Sequence, residues 1–352
     1  MAKINKHIEI VRSGKVRLSS MSQPSADALL AVLVKHYERA GITTVNNLSE
    51  LEALAALRPD LVFLTTQFIP INIPLGVQGP DKLWITDYLE ERGIAYTGSS
   101  RNALELQHNK PLAKQRVQSA GLKTSPYYVI KQHEDHSEAA RLIEFPIFIK
   151  PTDRGGGLGI DSDSVVHTFD ALRSKVNSIT ANLKSDALLE QYLPGREFSV
   201  AVLKDEESLE FAAMPLELVA EPDNNGRRFL GKEVKSSNTE RIIEVTDESL
   251  KSQITTLALD VFCALGARDY GRIDIRLDEH GTPHFLEANL IPCLISGYGS
   301  FPKACVLNTE LHYEAMVLSI VRLGLARNMR ESVAVLEPVL ALSTALPSLI
   351  PV

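Results

Sequence analysis

Cysteine is scarce. Cys263, Cys293 and Cys305 are the 3 cysteines in 352 residues, with no close pair and no Cys-x-x-Cys. That spacing excludes a disulfide scaffold and argues against a structural zinc site. Basic charge is not in excess either: 37 Lys plus Arg stand against 44 Asp plus Glu, for a net charge of −7. A nucleic-acid binder needs a basic stripe to displace counterions, so no such partner is expected. No internal repeat or low-complexity segment is visible. The opening MAKINKHIEIVRSGK has no apolar core of signal-peptide length. The stretch Val333 to Val352 is nearly all apolar, but Pro338, Pro347 and Pro351 break it. A membrane-spanning helix is therefore not expected, nor a membrane partner, and the expected compartment is the cytoplasm. The apolar tail is expected to pack on a neighbouring surface or on a dimer partner.

What remains is ordinary globular composition, 44% hydrophobic and 23% charged, in a length that suggests two or three packed units. His7 to Val11 alternates like a strand, Ala26 to Ala40 and Leu48 to Leu57 have helical periodicity, and Asp60 to Thr65 reads as a strand covered on both faces. A helix over Pro80 to Arg92 and a strand over Ile94 to Thr97 complete a small doubly wound sheet. A long helix from Ser100 to Ala120, interrupted near Pro111, leads to a boundary at Gly121 and Pro126. An α+β unit follows, with strands at 127–130, 146–150, 187–192 and 198–203 and helices near 137–143 and 168–183. The third unit holds a helix over 247–265, with Cys263 on its apolar face, a strand pair over 271–289, and a last helix over 309–327.

The strand pair is GRIDIRLDEHGTPHFLEAN, Gly271 to Asn289. With the turn centred between His280 and Gly281, Asp274 faces Glu287 and Arg272 faces Asn289. Period-two alternation puts these four on one face and Ile273, Ile275, Leu286 and Ala288 on the other. Two carboxylates and an amide oxygen suit a hard cation, Mg²⁺ before zinc or copper. Arg272 can then face the charge on a transferring phosphoryl group. A solvated polar face with a cross-strand ion pair explains the same residues equally well.

FPIFIKPTDRGGGLGI, Phe145 to Ile160, places Lys150 at a strand end, followed by Gly155, Gly156, Gly157 and Gly159. Glycines allow backbone N–H groups to converge on phosphate oxygens. The order is neither a Walker A loop nor a dinucleotide fingerprint. In LLEQYLPGREFSV, Glu190 and Glu197 bracket a turn at Pro194-Gly195, a linker able to read an adenine edge and ribose hydroxyls. Exposed acids on a hairpin, and a solvated helix lysine at Lys110, are the plainer readings of these pieces taken singly.

In this order the motifs resemble the ATP-grasp superfamily, in its D-alanine–D-alanine ligase-like branch. The resemblance runs from about Asp60 to Lys303 and rests on IAYTGSS, Asn109-Lys110, AGLKTSP, FPIFIKP, LLEQYLPGREFSV, GRIDIRLD and FLEANLIP. It implies a three-subdomain ATP-grasp fold, α/β and α+β, with an N-terminal doubly wound parallel sheet. The divisions are an N-terminal substrate-side domain at 1–121, a small subdomain with a glycine-rich lid at 122–203, a metal-bearing subdomain at 204–330, and the tail at 331–352. Lys110 and Lys150 match the lysines that hold ATP phosphates, under the lid glycines Gly155, Gly156 and Gly157. Glu190 matches the acceptor of the adenine amino group, Gln191 and Leu193 lie in the segment reading the ring, and Glu197 matches the ribose ligand. Either Lys232 or Lys235 matches a further phosphate lysine. Asp274, Glu287 and Asn289 match the ligands of Mg²⁺, with Mn²⁺ as the alternative ion. Arg272 matches the arginine that stabilises the transferring phosphate.

The implied chemistry is attack of a substrate carboxylate on the γ-phosphate of ATP. An amine then displaces phosphate from the acyl phosphate. A homodimer is expected, with small-molecule carboxylate (or ketone) and amino-acid substrates. The substrate side departs from true D-alanine–D-alanine ligases. The N-terminal stretch VRSGKVRLSSMSQPSAD has no Glu, Cys293 stands where the family has glycine, and both Ser296 and Ser300 are candidates for holding a substrate carboxylate. The expectation is therefore an amino-acid ligase of secondary metabolism. The alternatives are a mycosporine-glycine–amine ligase, a true D-alanine–D-alanine ligase or a non-catalytic nucleotide-binding relative. Cys293 as a nucleophile is disfavoured, because this chemistry needs no thiol.

Overall fold

Residues 7–11 of strand β1 (Ile4–Arg12) and all of β3 (Leu61–Leu64) are buried, the pattern of strands covered on both sides. In the computed structural model the two strands lie side by side in a three-stranded parallel sheet, with β2 (Tyr37–Thr44) on the other side of β1. The structure describes residues 2–14, 21–71, 81–131, 134, 142–223, 226–231 and 239–327. These fall into two compact units. The first comprises the described residues of Met1–Ile71, Lys82–Thr97 and Val317–Val352, the second those of Asn72–Asp81 and Gly98–Met316.

In the first unit, helix α1 (Gln23–His36) starts at Ser22, whose side chain caps the Ser25 N–H, and buries Leu29, Val32 and Leu33. The helix expected to reach Ala40 stops four residues sooner. From Tyr37 the chain turns extended and becomes β2 (Tyr37–Thr44), pairing Ile8 with Ala40 and Ile10 with Ile42. The β-branched run Ile42-Thr43-Thr44 suits a strand, and the pairing outweighs the helical periodicity before it. Helix α2 (Leu48–Ala56) lies between β2 and β3 in sequence. The expected helix over Pro80 to Arg92 is also shorter. Lys82–Trp84 is a strand, β5, antiparallel to β4 (Phe68–Pro70), and only α3 (Ile85–Glu90) is helical. Ile94 to Thr97 contributes a single bridge, Val62 to Tyr96.

In the second unit the expected long helix is two: α4 (Arg101–His108) and α5 (Lys110–Ser119). The break expected near Pro111 falls at Asn109. Asn109 caps α5 by accepting from the Leu112 N–H at 3.1 Å, and Pro111 sits in the first turn, where a missing N–H costs nothing. Strands β6 (Tyr127–Ile130), β7 (Ile147–Pro151), β8 (Val165–Val166) and β9 (Ala187–Gln191) form a sheet of order β6-β9-β7-β8. Helix α6 (Phe169–Leu183) closes its core, with Leu172, Val176 and Ile179 against Ile147, Ile149 and Leu189. The helix expected near Ser137 to Ile143 lies almost wholly outside the described residues.

A second antiparallel sheet has the order β12-β11-β10-β13-β14. Its strands are β10 (Glu197–Lys204), β11 (Phe211–Val219), β12 (Arg241–Glu244), β13 (Tyr270–Leu277) and β14 (Pro283–Asn289). Helix α7 (Glu248–Ala264) packs on it through Ile254, Ala258, Val261 and Phe262. Cys263, expected in the core, is exposed, and Cys305 on α8 (Ser300–Thr309) is the buried thiol. The last described helix runs over 313–327, starting four residues later than the expected 309–327, because α8 ends at Thr309 and Glu310 follows it with φ +55°. Among the described residues no helix is long and apolar enough to cross a membrane. The tail at 331–352 lies outside them.

Candidate functional site

The β13–β14 hairpin carries the expected register: Arg272 pairs with Asn289 and Asp274 with Glu287. Beyond Asp274 the register shifts, and Ile275 pairs with Phe285. This bulge leaves one extra residue on β14 and corrects the sequence reading of Leu286. Leu286 lines the cleft together with Glu287, and Phe285, fully buried, takes the core side with Ile273, Ile275 and Ala288.

Asp274 is buried and heavily engaged. Arg272 Nε and Nη2 donate to its two oxygens at 3.0 Å each, Ser199 Oγ donates at 3.1 Å, and Asn289 Nδ2 at 3.3 Å. Burial pushes the Arg272 guanidinium down, but Asp274 and then Glu287 more than reverse this, so it titrates above its ordinary value. Among the described residues no group of three or more His, Cys, Asp or Glu side chains converges as a metal cage. The set here is two carboxylates and one amide. Such an all-oxygen set fits a hard divalent cation that keeps waters and draws further ligands from phosphate.

Lys150, at the end of β7, pairs with Glu190 Oε2 at 2.7 Å, and Lys114 of α5 pairs with Glu190 Oε1 at 2.6 Å. Burial acts to raise the Glu190 pKa, but Lys114 and Lys150 pull it below the usual carboxylate value. Burial lowers Lys150, yet Glu190 and Glu287 carry it above its ordinary value, whereas Lys110 is held below it by burial despite Glu287. Lys110 Nζ donates to the Arg154 carbonyl at 2.5 Å and lies 3.8 Å from Glu287. Lys110 thus ties the base of the glycine loop to the acidic hairpin.

Lys150, Glu190, Asp274 and Glu287 line one open cleft. Phe148, Ile160, Leu193, Phe229, Leu230 and Leu286 supply apolar walls, and Gln191 and Tyr192 complete one side. At another part of the lining, Glu197 accepts from Arg276 Nη1 at 2.9 Å, and Arg276 Nη2 donates to the Arg228 carbonyl at 2.6 Å. Gly156, Gly157 and Gly159 all have positive φ, and a Cβ on Gly159 would meet Pro151 Cγ at 2.7 Å. A Cβ on Gly155 or Gly156 would meet nothing within 4 Å, so the front of the loop stands in open space.

Ser300 accepts from Arg272 Nη1 at 3.2 Å, whereas Ser296 is exposed, so the two serine candidates separate. Cys293 is partly buried, and burial raises its thiol pKa, with Arg272 opposing. A side chain on Gly299 would collide with the Cys293 carbonyl, which keeps this turn tight. Lys232 and Lys235 lie outside the described residues.

Three residues of the site were not picked out from the sequence. Lys114 stands four positions after Lys110, one helical turn along the same face, a spacing that could have revealed it. Arg276 follows Arg272 and Asp274 at period two and belongs on their face by the same alternation. Ser199 carries no sequence signal, since only the β10–β13 register pairs it with Asp274.

Comparison with known proteins gives a consistent picture. A family model described as "D-ala D-ala ligase C-terminus" matches residues 117–322. The chain is 30% identical over 241 residues to a D-alanine–D-alanine ligase of Hydrogenovibrio crunogenus, covering 67% of this chain and 72% of that protein. It is 29% identical over 325 residues to a D-alanine–D-alanine ligase of Chromohalobacter salexigens, covering 89% of this chain and 92% of that one. Its fold matches the crystal structure of a D-alanine–D-alanine ligase from Bacillus anthracis complexed with ATP. The TM-score is 0.71 at 21% identity, over 93% of this chain and 99% of the other. That last likeness concerns the fold: a multi-sheet α/β architecture of the ATP-grasp kind with a parallel N-terminal sheet.

Proposed function

The chain belongs to the D-alanine–D-alanine ligase family of ATP-grasp enzymes, and from that premise we propose that it joins a carboxylate to an amine through an acyl phosphate, releasing ADP and phosphate. ATP-dependent formation of a carbon–nitrogen bond is the family's activity. The observation that carries the finer reading is one cleft shared by the Lys150–Glu190 pair and the carboxylates of Asp274 and Glu287, with Arg272 bidentate to Asp274 behind them. This convergence weighs against a non-catalytic relative.

In this reading Glu190 accepts the adenine amino group, Gln191 and Leu193 border the ring, and Glu197 meets the ribose. Lys110 and Lys150 hold the phosphates, and the glycine loop at 155–157 closes over them and excludes water. Asp274, Glu287 and Asn289 are the residues that hold Mg²⁺, or Mn²⁺, and when bound the ion neutralises charge on the terminal phosphates. Arg272, bidentate to Asp274, is held in place to meet charge that develops on the transferred phosphoryl group and then on the oxygen of the tetrahedral intermediate. Ser300, tied to Arg272, is the better-supported anchor for a substrate carboxylate; Cys293 and Ser296 are secondary. The segment 122–203 is the lid-bearing half and 204–330 the metal-bearing half.

The named relatives favour D-alanine for both substrates over the secondary-metabolism amino-acid ligase expected from the departures near Cys293. The partly buried Cys293 beside Arg272 supports a second reading, in which one substrate is another amino acid. The test is ADP release with amino acids offered singly and in pairs, with mass spectrometry of the products. D-alanyl-D-alanine as main product supports the first reading, and a different dipeptide supports the second. No Mg²⁺-dependent ADP release with any pair overturns both.

A further inference from the structure

Lys114 has no exposed side-chain surface and makes an ion pair with Glu190 Oε1 at 2.6 Å. It also donates to Thr124 Oγ1 at 2.6 Å and to Ser125 Oγ at 3.2 Å, with the Phe285 carbonyl at 3.5 Å. An ammonium has three N–H bonds; the hydrogen bonds to Thr124, Ser125 and the Phe285 carbonyl use them, leaving none for a phosphate. Glu190 Oε1, which takes no hydrogen bond among the described residues, is met by the charge of Lys114. Lys150 differs: it pairs with the other oxygen of Glu190 and lines the cleft.

The two lysines therefore behave differently when a nucleotide enters. Resting on the reading of Glu190 as the adenine acceptor, the phosphates draw Lys150 away and release Glu190 Oε2 toward the 6-amino group. A carboxylate this buried, left without a cation, takes up a proton. Its O–H is then a donor facing a donor. We propose that Lys114 is the positioning residue of adenine recognition, holding Glu190 ionised and aimed after Lys150 has moved to phosphate. An ionised Glu190 accepts from the 6-amino group of adenine and repels the 6-oxo oxygen of hypoxanthine. Thr124 fixes the arrangement from behind, since its hydroxyl also donates to the Phe285 carbonyl at 2.8 Å. The electrostatics agree: against burial, Lys114 comes ahead of Lys150 in lowering the Glu190 pKa.

The test is calorimetric binding of ADP and IDP, each with Mg²⁺, to the wild type and to Lys114→Met, Lys114→Gln and Glu190→Gln. No amino-acid substrate is required. The wild type is expected to prefer ADP, and both Lys114 variants to lose about tenfold of that preference, through weaker ADP binding without weaker IDP binding. A folded Lys114→Met protein with an unchanged ADP-to-IDP ratio overturns the proposal. Failure of both Lys114 variants to fold also overturns it, because Lys114 is then a buttress of the core. A wild type without ADP preference, matched by an unchanged Glu190→Gln protein, refutes the underlying assignment of Glu190 instead.

Discussion

Replacing Asp274 by Asn separates the charge of the acidic face from its shape. The side chain keeps its volume and one acceptor oxygen, but it presents an NH₂ group to Arg272 in place of the second oxygen. Two contacts at 3.0 Å join Arg272 to Asp274 in the native protein. A hydrogen bond to a charged group contributes about 1.5–3 kcal/mol, and breaking a buried pair by removing one partner costs about 3–5 kcal/mol. Glu287 also faces Arg272 and offsets part of that loss. The expected destabilisation is therefore about 2–4 kcal/mol, read by urea unfolding. On the proposed assignment of Asp274 as a metal ligand, the substitution is expected to lower Mg²⁺-dependent ADP release by about 100-fold or more. The substitution also makes the cleft more positive, so ADP binding without Mg²⁺ should hold or tighten while its enhancement by Mg²⁺ disappears. A variant with ADP release within about threefold of wild type and intact Mg²⁺ dependence would refute the assignment of this hairpin as the metal site.

Gly159→Ala is expected to cost about 1–3 kcal/mol, because φ is +81° and the new methyl meets Pro151 and Leu183. Gly155→Ala opens onto free space, so its melting temperature should match wild type. Equal effects of the two would refute this account of the loop. Arg276→Met removes the partner of Glu197 and should weaken ADP binding more than dADP binding. An unchanged ADP-to-dADP ratio separates Glu197 from the ribose. In thiol labelling of the native protein at pH 8, exposed Cys263 should react first and Cys305, whose pKa burial pushes up to about 12, last. The folded pKa of Lys114 is lowered by burial to about 8 from 10.5, so above pH 8 the unfolded chain binds more protons than the native one. Stability from this group should rise between about pH 8 and 10.5, a slope that urea unfolding should find missing in Lys114→Met.

The hairpin register was legible because two rules agree on it: a turn-rich centre and period-two alternation leave one pairing that buries Ile273, Ile275 and Ala288. The bulge at Leu286 was not legible, since a bulge answers to the twist and neighbours of the assembled sheet. Tyr37 to Ala40, the first half of β2, reads as helix because it continues the helical spacing of α1, while the strand exists through its pairing with β1. The interruption near Pro111 was legible, but the residue that sets it is the cap Asn109, since proline is tolerated in a first helical turn.

By itself the sequence determined the inventory and order of chemical groups: strand-end Lys150, the glycine loop, Glu190, Glu197, and the alternating Arg272 and Asp274 opposite Glu287 and Asn289. Local periodicity also fixed which of these share a strand face, because side-chain direction along a strand follows from backbone geometry alone. Only the tertiary structure decided which charge meets which. Glu190 lies between Lys114 and Lys150, Glu197 meets Arg276, and Ser300 rather than Ser296 meets Arg272. Ion pairs and hydrogen bonds act over a few ångströms, and residues tens of positions apart come that close only after the sheets have set their registers.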